Sequence, residues 1–168
     1  VIIARPGDQT ATAVHTPLAC MAFSVMLMWG AAPPGEPWPP ISRALYFITY
    51  LGTGMAFLRF TTLFPRPISD KAGRSILPYL PGALLILATG FMHLESLLNG
   101  SVAEYHRFRG VFDLYHIALV VYVAAGIRNL AVAFGATSAP DQRKQLQWVL
   151  WGVTIGPAPF LLLVVVPE

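Results

Sequence analysis

Long apolar runs separated by short polar connections repeat along the whole of this 168-residue chain. The runs over residues 9–32, 41–64, 76–95, 111–134 and 147–166 each approach or reach the roughly 20 residues that a helix needs to cross a hydrocarbon core. The connections between them carry helix breakers. Pro33-Pro34-Gly35-Glu36-Pro37-Trp38-Pro39-Pro40 and Pro65-Arg66-Pro67 are rich in a residue that lacks the amide hydrogen and clashes with the preceding turn. The pattern predicts an all-α fold, a polytopic membrane helical bundle of about five transmembrane helices forming a single region. Trp29, Trp38, Trp148 and Trp151 fall at or near the predicted helix ends, the depth that amphipathic rings prefer.

Composition sharpens this picture. The chain is 55% hydrophobic and only 11% charged, whereas about a quarter of the residues in a soluble domain are charged. Its mean hydropathy is +0.60. A water-soluble core is excluded as the simplest reading, and the lipid bilayer is the expected partner. The formal charge of +3 does not point to nucleic acid, because the Lys and Arg residues are scattered over connections and helix ends rather than gathered on one face. Cys20 is the single cysteine, so neither an internal disulfide nor a zinc cluster built from thiols is possible.

The scattered cations do carry topological information, because basic residues are retained on the cytoplasmic side of short loops. Arg5, Arg59, Arg66, Lys71, Arg74, Arg128, Arg143 and Lys144 fall on one side, and Arg43, Arg107 and Arg109 on the other. The N-terminus is then cytoplasmic and the C-terminus extracytoplasmic. The chain opens on Val1-Ile2-Ile3-Ala4-Arg5 without Met and stops at Pro167-Glu168 directly after an apolar run. It is therefore expected to be a fragment of a longer chain, with Val1 to Ile3 as the last turn of a preceding crossing.

Small residues offer places for helices to approach: Gly52-Thr53-Gly54, Ala124-Ala125-Gly126 and the GxxxG pair Gly152 and Gly156. The pair is read first as helix packing within the chain, with a homodimer seam as the alternative. Pro157 and Pro159 are expected to kink the fifth helix.

Ionisable groups at membrane depth are costly and are candidates for function by default. Near the outer face, His93 and Glu95 close the third predicted helix. Asp113 and His116 open the fourth at a spacing of three, which sets them on one helical side. Two readings stand. In one, the four residues form an outward-facing polar pocket for a small ligand or cation, or a pH sensor built on imidazoles that titrate near neutrality, with Glu104 to Arg107 folding over it. In the other, they sit at headgroup level, bonded to one another and to water.

Two His with two carboxylates match zinc ligand chemistry, and two imidazoles on two helices match the axial ligands of a haem. The spacing is not a metal motif, so neither metal nor cofactor is expected. Arg59 and Arg128-Asn129 lie within about two turns of cytoplasmic helix ends and are read as snorkelling cations. His15 has no partner at its depth. No GxGxxG, P-loop, HExxH or nucleophile elbow occurs, and no catalytic site is expected in this chain.

Three patches carry a resemblance: Ala4-Arg5-Pro6-Gly7-Asp8-Gln9, Ala56-Phe57-Leu58-Arg59-Phe60-Thr61-Thr62-Leu63-Phe64-Pro65-Arg66-Pro67, and Asp141-Gln142-Arg143-Lys144-Gln145-Leu146-Gln147-Trp148-Val149-Leu150-Trp151-Gly152. Together they resemble the multi-helix membrane input region of bacterial sensor histidine kinases, which also precedes sporulation-type phosphatases and diguanylate cyclases. In that family the patches are cytoplasmic turns. The family often has a histidine where this chain has Arg59, so no role is carried over to that position.

The resemblance implies a sensory or anchoring region in the bacterial inner membrane, part of a two-component system. Its expected partners are a cytoplasmic output domain of the same chain and a homodimer formed through the parent protein. Any kinase chemistry would lie outside these residues. The alternative function is a fragment of a small-solute or ion transporter or channel.

Overall fold

The structure, a computed structural model, describes residues 9–29, 38–64, 75–99 and 102–155. Over them the chain is all-helical, with no strand. The elements are α1 (Gln9–Trp29), α2 (Trp38–Leu63), α3 (Leu80–Asn99, entered through a 3₁₀ turn at Leu77–Tyr79), α4 (Val102–Ala136) and α5 (Pro140–Ile155).

The helices match the apolar runs in number and order but not in their ends. Helix α2 starts at Trp38 rather than at residue 41. Pro39 and Pro40 occupy its first turn, where their missing amide hydrogens would have had no intrahelical partner. The largest difference is in α4, which begins at Val102 rather than at residue 111 and runs for 35 residues. The polar stretch from His106 to Arg109, expected as part of a loop, is helical. Apolar content marks the part of a helix that lipid can surround, whereas helix propensity continues through Arg and other straight-chain polar residues. Helix α5 starts early for the same reason: Pro140 takes its first position and Asp141 lies in its first turn, where a negative charge suits the helix dipole. The remainder of the fifth predicted run, with Gly156, Pro157 and Pro159, lies outside the described residues.

Among the described residues two stretches, Leu77–Glu95 and His106–Ala136, are long and apolar enough to cross a membrane, and a shorter apolar stretch covers Ala13–Leu27. Of the five expected crossings, two thus pass the test of length and composition over the described residues. Helix α2 falls short because Tyr46, Thr49, Tyr50, Gly52, Thr53 and Gly54 dilute its middle. This is the helix that α1, α3 and α4 all pack against, so its surface serves neighbours more than surroundings.

The core lies between α2 and α4, built from Phe47, Tyr50 and Leu51 on the first and Tyr115, Leu119 and Tyr122 on the second. Phe47 meets Phe112 at one end and Thr61 meets Asn129 at the other, so the two helices run in the same direction. Helix α3 runs opposite to both: its start touches Tyr122 and its last turns touch Phe47. Two glycines allow the close approach. A Cβ at Gly54 would come within 2.9 Å of Leu119 Cδ1, and one at Gly126 within 2.5 Å of the Phe57 ring. Helix α5 packs on the end of α4 through buried Leu146 and through the Arg143 guanidinium, 4.8 Å from the centre of the Phe134 ring.

Candidate functional site

The end of the bundle where α2 begins, α3 finishes and α4 opens is filled with rings. Phe47, almost fully buried, is the hub. Its ring centre lies 6.0 Å from those of Phe108 and Phe112 and 6.1 Å from that of Tyr115. Phe108, Phe112 and Tyr115 reach it because they recur at i, i+4 and i+7 along α4, a spacing that stacks side chains on one helical face.

The two candidate histidines sit on opposite flanks of this cluster. The His93 ring meets Phe47 edge to face at 5.4 Å and Phe108 at 5.2 Å. The His116 ring meets Phe112 edge to face at 4.4 Å and Tyr50 at 5.7 Å. Phe47 and Phe112 therefore link the two imidazoles. His116 also places Nδ1 2.9 Å from the Phe112 carbonyl oxygen one turn back, a contact in which Nδ1 is the donor.

The carboxylates do not share this environment. Asp113 is exposed and Glu95 is half-buried. Among the described residues no group of three or more His, Cys, Asp and Glu is placed to hold a metal ion. The four predicted site residues thus divide into a pair of ring-packed imidazoles and two acids at the rim. His15 and Arg59 are exposed, as is Arg128. A Cβ at Gly152 would meet nothing within 4 Å among the described residues, and Gly156 lies outside them.

Below the ring cluster, α4 carries a second set of polar contacts that the search for charged residues passed over. Tyr115, Tyr122 and Asn129 are seven residues apart and point to one side. The Leu51 amide donates to the Tyr115 hydroxyl at 3.3 Å. The Gly82 amide donates to the Tyr122 hydroxyl at 3.0 Å, and that hydroxyl donates in turn to the Pro78 carbonyl at 3.0 Å. Gly82 and Pro78 are an i, i−4 pair, so the hydroxyl is inserted where the 3₁₀ turn passes into α3, a position often taken by water. Asn129 Nδ2 donates to Thr61 Oγ1 at 3.3 Å while that hydroxyl donates to the Leu58 carbonyl at 2.8 Å. The signal was legible as a period of seven in hydrogen-bonding residues, independent of charge.

No protein-family model, curated protein or solved structure matches this chain.

What the arrangement can do follows from its parts. Two imidazoles are held against ring edges and faces at a three-helix junction. The tyrosine and asparagine contacts tie α4 to both α2 and α3.

Proposed function

We propose that this chain is the lipid-embedded sensory or anchoring region of a bacterial signal-transduction protein, with a sensor histidine kinase as the parent implied by the resemblance. Five crossings in the inner membrane remain the proposed topology. The observation that carries the membrane placement is the number of large apolar side chains left on the outside of the bundle. Thr61 and Thr89 are fully buried, with Ser24 and Ser42 nearly so, while Leu114, Ile117, Val121 and Val132 face outward. Only 11% of the most apolar part of Leu77–Glu95 and 22% of that of His106–Ala136 is buried, which does not suit the core helix of a soluble protein.

Hydroxyls behave accordingly. Ser24, Thr49, Thr53 and Thr62 each donate to a carbonyl of their own helix at 2.7 to 2.9 Å, the satisfaction that a backbone and its polar side chains need where water is scarce. At 1.5 Å per residue α4 is about 52 Å long, well beyond the roughly 30 Å of a hydrocarbon core. Its start, with His106, Arg107, Arg109 and Asp113, extends into the headgroup region, and no charged side chain interrupts it again until Arg128.

The sensory part of the proposal rests on His93 and His116 at the junction of α2, α3 and α4. A proton or small ligand arriving from the outer face shifts the bundle only by the difference in its affinity for two helix packings. The test uses the full-length parent in sealed vesicles, with output activity followed while the outside medium is moved across about pH 5 to 8. The wild-type output is expected to change, and His93→Gln and His116→Gln to flatten the response. An unchanged response in both variants removes the sensory role and leaves an anchor.

A further inference from the structure

Hydroxyls on these helices bond back to a carbonyl of their own helix, as those of Ser24, Thr49, Thr53, Thr61, Thr62 and Thr137 do. Thr89 departs from them. Its side chain is fully buried in the middle of α3, and its Oγ1 has no hydrogen-bond partner among the described residues. The Leu85 carbonyl lies one turn back, at the spacing that Thr49 and Thr53 use. The Thr89 oxygen is therefore turned off its own helix and into the interior, where an unmatched polar atom is costly.

The antiparallel packing of α3 on α4 fixes what stands opposite. The Gly82 amide meets the Tyr122 hydroxyl at 3.0 Å. Thr89 follows Gly82 by seven residues and Tyr115 precedes Tyr122 by seven. Both therefore lie about 10 Å from that contact, toward the same end of the bundle. Seven residues are nearly two whole turns, so each stays on the face that the contact defines. Tyr115 is fully buried as well. Its hydroxyl accepts from the Leu51 amide at 3.3 Å, and among the described residues its own proton has no acceptor. The ring of Tyr50, which carries a third buried hydroxyl, stacks on Tyr115 at 5.9 Å.

We infer that Thr89 and Tyr115 form an interior binding site for one water molecule, which bridges α3 to α4 at the level of the ring cluster. The water accepts the Tyr115 proton and pairs with Thr89 Oγ1, and through the Leu51 amide the bridge extends to α2. A small neutral molecule is the class that fits. The groups that hold it are uncharged hydroxyls, and the nearest acid on α4, Asp113, is exposed, so nothing here balances a cation. Buried waters take two to four polar partners of this kind, and a bridge through water is nearly as favourable as a direct hydrogen bond. The site stands on the packing of α2, α3 and α4 and is independent of what His93 and His116 sense.

The test uses the whole chain in lipid nanodiscs, isotopically labelled at threonine, with magnetisation transfer from water read at each threonine by solid-state NMR. Transfer is expected at Thr89 and not at Thr61, which is equally buried but bonded to the Leu58 carbonyl. Thr89→Ser keeps the transfer at position 89, whereas Tyr115→Phe abolishes it at Thr89 on the facing helix. The sign of a stability change gives a second readout. Thr89→Val keeps the shape and removes the hydroxyl; loss of a bridged hydroxyl lowers the folding equilibrium constant about fivefold, whereas loss of an unmatched one raises it. Absence of transfer at Thr89, with Oγ1 bonded to the Leu85 carbonyl or directly to Tyr115, overturns the water site. Transfer that survives Tyr115→Phe, or a Thr89→Val chain more stable than the wild type, overturns it as well.

Discussion

On the face of α4 turned toward α2 and α3, Tyr115, Tyr122 and Asn129 place hydroxyl or amide groups between helices, while Leu119 and Gly126 fill the steps between them. On the opposite face Leu114, Ile117, Val121 and Val132 are 54 to 59% exposed. In a water-soluble helix the outward set would be polar, because only the stripe that faces the core is apolar. The polar atoms inside are those that a backbone needs when no water is at hand, and the carbons outside are those that a bilayer tolerates. One helix thus reports the character of its surroundings on one side and its means of attachment on the other.

The most disruptive change to this contrast is a charge on the outward face. Val121→Lys is expected to cost about 3 kcal/mol if that position sits near the middle of a bilayer, against no more than about 0.5 kcal/mol at a water-exposed surface. The fraction of chain inserted in membranes reads the difference. Next in size is Gly126→Val, whose added carbons collide with the Phe57 ring. Overpacking of that kind costs about 2 kcal/mol, seen as a lowered unfolding midpoint in detergent. Tyr122→Phe removes the hydroxyl bridging Gly82 and Pro78 and is expected to cost about 1 kcal/mol, with faster amide exchange confined to the start of α3.

The smallest expected effect is the coupling between Thr61 and Asn129. A double-mutant cycle with Thr61→Val and Asn129→Leu should give about 0.6 kcal/mol, the average for such bonds between membrane helices. A coupling indistinguishable from zero would show that Asn129 contributes to shape alone.

The order of the helices was legible because each one carries a long apolar run bounded by polar residues or prolines. Helix ends were less legible. Pro39 and Pro40 read as breakers, yet a first turn accepts them. The residues from His106 to Arg109 read as a loop, although straight-chain polar residues such as Arg are no obstacle to a helix. Of the candidate site, His93 and His116 were visible as ionisable residues at an expected depth. Phe47, Phe108 and Phe112, which pack against them, were not, because aromatic residues are common in apolar runs and only the three-dimensional junction singles these out. The acids were visible too, but a spacing of three from Asp113 to His116 does not bring a carboxylate into a cluster whose interior is carbon.

Accessibility along α4 tests most directly whether lipid surrounds the outward face. Nitroxide side chains are placed one at a time at Leu114, Ile117, Val121 and Val132 in a Cys20→Ala background, with the chain reconstituted in bilayers. Oxygen, which concentrates in hydrocarbon, is expected to relax these labels far more than a water-soluble nickel chelate, with labels at Leu119 and Tyr122 shielded from both. Ready access of the nickel chelate to Val121 would contradict the membrane placement.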